Sequence, residues 1–338
     1  MSDPLSEAIH EDISLSEDEM RGVMSEIMEG QWSDQKITDF LVSLSKRGET
    51  VEEITGAASV MREKALPIKA PENAVDCCGT GGDKSGTYNI STAVAIVSAA
   101  CGVPIAKHGN RSASSKSGAA DVLEALGINL DVPQRQLEEA LKLYNFAFLM
   151  APRHHGAMKY VAPARKALGT RTIFNILGPL ANPAKTNYQL LGVFERDLVL
   201  PMAQVLQKLG TKCAWVVHGS DGLDEITTTG ETYVAKLEHG NITETVLTPK
   251  DFGISISNPK DILGGTPTVN AAALLDILSG TKNAYRDIVV INTAAVLVIS
   301  GQENDLKNAA VKAQQAIDNG HALALLNKYK EFTKEHGT

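Results

Sequence analysis

The sequence predicts an α/β protein, with a small N-terminal helical domain followed by a larger α/β domain built on a mostly parallel sheet. Three observations carry that reading. From Ala74 onward, short apolar runs suited to strands alternate with longer stretches of helical periodicity, the pattern of strand–helix units around a parallel sheet. Upstream, apolar residues recur at helical spacing alone: Met20, Val23, Met24, Ile27 and Met28, then Ile37, Phe40 and Leu41. Between the two regions, Pro67 and Pro71 favour an extended link. The helical domain is therefore assigned to residues 1–70 and the α/β domain to 71–338.

Within the first domain, Ser33 with Asp34 and Thr50 with Glu53 read as helix starts, and Gly30 and Gly48 as stops. In the second, residues 75–78, 104–106, 147–150, 189–194 and 214–218 read as strands. Residues 92–101 and 119–126 read as helices, the latter ending at Gly127. Residues 233–237 and 243–247 read as a strand pair around His239-Gly240, and helices dominate from Val269 to the end. The longest apolar stretch, 288–299, is interrupted by Asn292 and Thr293 and falls short of the ~20 residues that span a bilayer, so it reads as a buried helix.

A chain of 338 residues, 43% hydrophobic and 21% charged, can build one large or two modest cores. Its 32 Lys+Arg against 40 Asp+Glu give a formal charge of -8, which supplies no broad positive field for a nucleic-acid backbone, so any phosphate must be held locally. Cys77, Cys78, Cys101 and Cys213 show no CxxC spacing, and an adjacent pair rarely bridges to itself; reduced thiols and a cytoplasmic location are expected. Seven acids in the first twenty residues oppose a signal peptide, which needs a basic start and an apolar run.

Five segments carry chemistry, each with a plainer reading beside it. Asp76-Cys77-Cys78-Gly79-Thr80-Gly81-Gly82-Asp83 joins a strand to a helix, either as a glycine cradle for phosphate or as a simple turn; its spacing is neither GxGxxG nor GxxxxGK[ST]. Asn89-Ile90-Ser91-Thr92 either caps the helix beginning near Ser91 or offers an anion site and a hydroxyl ligand for Mg2+. Lys107-His108-Gly109-Asn110-Arg111-Ser112-Ala113-Ser114-Ser115-Lys116-Ser117-Gly118 gathers three cations and four serines at the carboxyl end of a strand, with no acid until Asp121, and suits a highly charged anion. In His218-Gly219-Ser220-Asp221-Gly222-Leu223-Asp224-Glu225 the adjacent carboxylates are either hard ligands for Mg2+ on substrate phosphates or an acidic surface turn. Arg153, Arg165 and Arg171 lie on or beside one helix, where a guanidinium fork could receive a carboxylate or simply face solvent; His154-His155 has no metal-ligand spacing.

Taken together, CGTGGD at 78–83, NIST at 89–92, KHGNRSASSKSG at 107–118, NILGPLANP at 175–183 and HGSDGLDE at 218–225 resemble the anthranilate phosphoribosyltransferase family in order and spacing, over about residues 5–320. The resemblance implies a nucleoside phosphorylase/phosphoribosyltransferase-like plan, in which helices from about 160–185 join the helical domain and the active site lies between domains. It implies transfer of phosphoribosyl from phosphoribosyl pyrophosphate (PRPP) to anthranilate in tryptophan biosynthesis, with two Mg2+ ions as cofactor. PRPP would meet Gly79, Gly82, Asp83, Thr87, Asn89, Ile90, Ser91, Thr92, Lys107, His108, Gly109, Asn110, Arg111, Ser112, Ala113, Ser114, Ser115 and Ala119. Anthranilate would meet Gly79, Asn110 and Arg165, with His108 and His155 near its path, and the metal Ser91, Asp224 and Glu225. A homodimer through the helical domain is implied as well, and the Met and Ile cluster over residues 1–65 is its expected face. Tyr88 departs from the family's usual Phe, and residues 7–16 look variable; neither touches a polar role.

Two rival readings remain at this stage. One is a pyrimidine nucleoside phosphorylase-like enzyme of the same plan, using inorganic phosphate, against which the 107–118 loop and NIST count. The other is a non-enzymatic nucleic-acid-binding paralogue, against which the acidic chain and the Asp224-Glu225 pair count.

Overall fold

A computed structural model describes residues 13–112 and 116–337. The helical region comprises α1 (Glu17–Met28), α2 (Asp34–Arg47) and α3 (Val51–Lys64). Each starts on a hydroxyl: Ser16 and Thr50 form capping boxes with Glu19 and Glu53, and Ser33 accepts from the Lys36 amide. These side chains satisfy amides that a helix start otherwise leaves bare. The chain continues through β1 (Val75–Gly79), α4 (Ile90–Ala100), β2 (Ile105–Gly109), α5 (Ala119–Ala125), α6 (Gln134–Tyr144) and β3 (Phe146–Met150). Short helices α7 (Ala151–His154), α8 (Ala162–Leu168) and α9 (Phe174–Leu177) lead to β4 (Tyr188–Gly192), α10 (Val199–Lys208) and β5 (Cys213–Gly219). The hairpin of β6 (Thr232–Glu238) and β7 (Asn241–Leu247) precedes α11 (Pro267–Leu278), α12 (Ala284–Ile299), α13 (Leu306–Asp318) and α14 (His321–His336).

The seven strands lie in the order β3-β2-β1-β4-β5-β6-β7. Pairing is parallel from β3 to β5 and antiparallel across β5, β6 and β7. The chain winds outward from β1 to β3, then returns to place β4 on the other side of β1. That reversal opens a crevice at the carboxyl ends of β1 and β4, where ligands of open α/β sheets bind.

Strand alternation divides the core between the sheet's faces. Cys77, Leu190, Trp215 and Val217 face a cluster with α4 and α12, whereas Leu191, Val193, Ala214 and Val216 face one shared with α1–α3, α9 and α10. The helical region is thus packed directly onto one face of the sheet. Met20, Val23, Met24, Ile27 and Met28 are all buried in that second cluster, so the stripe expected as a dimer face is interior to the single chain. In α12, Asn292 and Thr293 are fully buried with their apolar neighbours, as a buried helix requires. Among the described residues no helix is long and apolar enough to cross a membrane.

Two expectations shift. The helix expected to begin near Ser91 starts one residue earlier, at Ile90. Residues 134–144 and 199–208, for which the sequence predicts no element, form α6 and α10, both of which start without a side-chain cap and so lack the usual start signal.

Candidate active site

The site is built on the switch point. Gly79 and Gly192 are register partners on β1 and β4, and Asp224 lies flush against both. A Cβ at Gly79 would stand 2.2 Å from Asp224 Oδ2, and one at Gly192 only 1.6 Å from the Asp224 carbonyl oxygen. Any side chain at either position would therefore expel the acidic segment. Asp224 Oδ2 accepts from the Gly81 amide at 2.7 Å, and the Glu225 carboxylate accepts from the Ser91 amide at the start of α4. Asn292 bonds both the amide and the carbonyl of Ile226, at 2.9 and 2.8 Å, so the polar break in the apolar helix anchors the residue after Glu225.

Asp224 and Glu225 are half-buried, which corrects the reading of this segment as an exposed turn. Burial, reinforced by the nearby Asp83 charge, pushes the Asp224 carboxyl up to about 6; burial and Asp224 itself raise Glu225 well above the usual carboxylate range. Lys107, fully buried, rises from β2 beneath them and donates from Nζ to Cys77 O at 2.7 Å and Ser91 Oγ at 3.2 Å. It lies under the floor rather than in the loop, and acts on the site through its field. Two crowded carboxylates with a hydroxyl beside them suit a hard divalent cation that relieves their repulsion. Among the described residues no three His, Cys, Asp or Glu side chains converge for a metal, so protein ligands alone do not complete such a site.

The phosphate-type loops surround this floor. Gly81 and Gly82 adopt left-handed φ of 65° and 74°, a backbone that glycine reaches without strain. Asp83 accepts from Ser85 Oγ at 2.5 Å, and Thr87 forms a bridge to Leu263. Asn89 makes no cap bond to α4; its amide group instead engages Ser117 O at 3.1 Å and receives Asn270 Nδ2 at 2.8 Å. The cap reading of 89–92 is therefore corrected for Asn89. Ile90 and Thr92 point into the core and leave only their backbone to the site. Gly109 lies against Phe148 and Ala119, and Asn110 Oδ1 accepts from the Arg111 amide at 2.7 Å. Arg111 is turned away onto Glu124, at 2.6 Å, and Asp121. Ala113, Ser114 and Ser115 lie outside the described residues.

A second hydrogen-bonded cluster is organised by the turn 178–183. Gly178 O receives His108 Nδ1 at 3.1 Å, Pro179 O receives Gln189 at 2.7 Å, Leu180 O receives Arg62 at 2.5 Å, and His155 bonds the Ala181 backbone. Asn182 reaches Asp76 Oδ2 and Ala106 O, both at 2.8 Å, and Asp76 Oδ1 accepts from the His108 amide at 3.2 Å. Because a carbonyl only accepts, His108 carries its proton on Nδ1, and its buried Nε2 has no partner among the described residues; the Nε2 of His155 is likewise bare. Burial pushes the two imidazoles down to about 3 and about 4, aided by the neighbouring histidines. Their rings meet edge to face at 5.2 Å.

Of the three arginines, Arg153 pairs with Asp131, and Arg171 bonds Gly82 O and Glu195. Arg165 on α8 lies over the Phe174 ring and has no acidic partner among the described residues. The sequence reading missed Gly192 and Asn182, and placed Asp76 in the glycine segment without giving it a role. Gly192 sits in an ordinary apolar strand, and its role depends on what crosses it in space; Asn182 lay within NILGPLANP, to which no chemistry had been assigned.

The fold and this site define a glycosyltransferase built from a helical bundle and an α/β domain: residues 71–323 match the glycosyl transferase family a/b domain, and 5–65 its helical bundle domain. The chain is 55% identical over 308 residues to the anthranilate phosphoribosyltransferase of Rhodospirillum rubrum, covering 91% of this chain and 89% of that one. The enzyme of the same name from Azospirillum brasilense is 53% identical, with 95% and 90% covered. The crystal structure of the Thermus thermophilus enzyme superposes with a TM-score of 0.93 at 40% identity over 98% of this chain and 99% of that one. The Saccharomyces cerevisiae enzyme in complex with PRPP and Mg does so with 0.87 at 29%, over 95% and 94%. This chain belongs to the anthranilate phosphoribosyltransferase family.

Proposed function

We propose that this chain transfers the phosphoribosyl group of PRPP to the amino group of anthranilate, releasing pyrophosphate and N-(5-phosphoribosyl)anthranilate, a step of tryptophan biosynthesis in the cytoplasm. The observation that carries this reading is the crevice at the ends of β1 and β4. It sets a glycine cradle, an α4 start without a side-chain cap from Asn89, and paired carboxylates beside an acceptor side that offers Arg165 and two bare imidazole nitrogens.

In the reaction the bond between the anomeric carbon and pyrophosphate breaks as the aryl nitrogen attacks, and positive charge develops on the ribose ring. The amides of residues 79–83 and the loop 108–115 bind PRPP phosphates, while buried Lys107 contributes a fixed positive field beneath them. Ser91, Asp224 and Glu225 would hold Mg2+, two ions in all with PRPP supplying further oxygens, and the metal adds electrostatic stabilisation of pyrophosphate. Arg165 fixes the anthranilate carboxylate, and Nε2 of His108 and His155 accept from its amine, so positioning is the main contribution of the acceptor side. The nucleophile is neutral at pH 7; the proton its nitrogen sheds once the C–N bond has formed passes to water or pyrophosphate, so no strong base is needed.

The helical domain of residues 1–70, joined by 160–185, bounds the crevice, and the enzyme acts as a homodimer through it. That assembly rests on the family resemblance, since the Met and Ile stripe is spent on the monomer's own core. The function is tested by loss of anthranilate fluorescence with PRPP and Mg2+. Turnover of a pyrimidine nucleoside with inorganic phosphate, and none of anthranilate with PRPP, would sink it.

A further inference from the structure

The loop 107–118 leaves β2 and returns to α5, and its two ends meet at one side chain. Asp121 Oδ2 accepts from the Ser112 amide at 3.0 Å and from the Gly118 amide at 2.8 Å, while Oδ1 takes Arg111 Nη1 at 3.3 Å. The Gly118 bond is the ordinary half of a helix cap in which the third helical residue reaches back to the N-cap amide; glycine has no side chain to return it. The Ser112 bond is not, because it reaches back nine residues across the loop. The neck it closes is tight: a Cβ at Gly118 would stand 2.3 Å from Ser112 N and 2.6 Å from the Arg111 carbonyl carbon. A further bond joins Ala120 N to Asn110 O at 3.2 Å. Burial works against the Asp121 charge, yet the two amides and the Arg111 guanidinium hold its carboxyl below the usual range.

We propose that Asp121 is a positioning residue of the transferase reaction: it draws the neck of the loop closed, so that the backbone of residues 109–112 is held in the conformation that receives PRPP. The same carboxylate, with Glu124, parks Arg111 outside the loop. A backbone at 109–112 fixed before substrate arrives does not lose conformational freedom on binding, and that saving appears in PRPP affinity. The role rests on the proposed PRPP function of this loop. A cap alone would support α5 and affect both substrates equally; a clamp on 109–112 acts chiefly on PRPP, because anthranilate would meet this stretch at Asn110 alone.

The test is steady-state kinetics of Asp121→Ala and Asp121→Asn, with melting temperatures measured alongside. Asp121→Ala should raise the PRPP KM at least about tenfold through the lost charge-assisted bonds, and leave the anthranilate KM within about twofold. Asp121→Asn should restore most of the PRPP KM, because its amide oxygen accepts both backbone amides. If Asp121→Ala fails to fold, Gly118→Ala forces the neck apart with Asp121 in place and should give the same selective rise. Equal shifts in both KM values, a fall in melting temperature alone, or an Asn variant no better than Ala would each overturn the proposal. A parent enzyme inactive with PRPP overturns the functional reading and this role together, whereas an active parent with unmoved variants overturns this role alone.

Discussion

At the residue scale, the acceptor side turns on charge and protonation. Arg165 is partly buried without an acid beside it, and burial lowers its pKa, so a carboxylate ligand meets an uncompensated guanidinium. Arg165→Ala should raise the anthranilate KM by the equivalent of about 1.5–3 kcal/mol and the PRPP KM far less; equal rises in both constants would remove the assignment. The two histidines predict a pH dependence. Their folded pKa values, about 3 and about 4, lie below the ordinary 6.5, so the folded state binds fewer protons than the unfolded chain between those limits. Their contribution is fully present above pH 6.5 and is lost as pH falls toward 4, by up to about 1.4 kcal/mol per pH unit for each. His155→Gln should flatten the decline in melting temperature between pH 6.5 and 4.5; parallel curves for parent and variant would show that His155 is not buried neutral.

At the element scale, the strand ends matter more than the loops between them. Gly79 and Gly192 are bare because a separate segment, 224–226, is laid across β1 and β4 and anchored from α12 by Asn292. The cost of that placement is two carboxylates crowded together and partly withdrawn from water, and it shows in their raised pKa values. Replacing both by amides, Asp224→Asn with Glu225→Gln, should therefore hold or raise the melting temperature while the Mg2+ concentration for half-maximal activity rises. An unchanged Mg2+ titration would remove the metal assignment, and a large loss of stability would mark the pair as structural.

At the scale of the whole molecule, the helical region is not an independent appendage. Its core is continuous with one face of the sheet, and Arg171 links the Ser45 hydroxyl of α2, through its own carbonyl, to the glycine loop at Gly82. Arg171 thus bonds both the helical region and the glycine loop. The Met20–Met28 stripe is interior to the single chain, so the proposed homodimer would have to form on other surface. Sedimentation at micromolar concentration should give twice the mass of one chain, and a single-chain mass would exclude that assembly.

Sequence by itself determined the order of the strands, most of the helices and the segments that converge, but not α6 or α10. Strand–helix alternation, helix caps at Ser33 and Thr50, and runs of glycine, serine and cation at strand ends are local signals, because backbone conformation and phosphate chemistry depend on neighbouring residues. Tertiary structure alone decided which polar groups were already spent. Lys107 is buried beneath the floor, Arg111 and Arg153 are paired with acids, and Asn89 is tied to Ser117 and Asn270 rather than to its helix. It also decided that Gly192, unremarkable in a strand, faces Asp224, and that Asn182 and Asp76 join the 178–183 turn to the sheet. Each of these pairings links residues distant in the chain, and no local pattern encodes a partner that only folding brings within hydrogen-bonding distance.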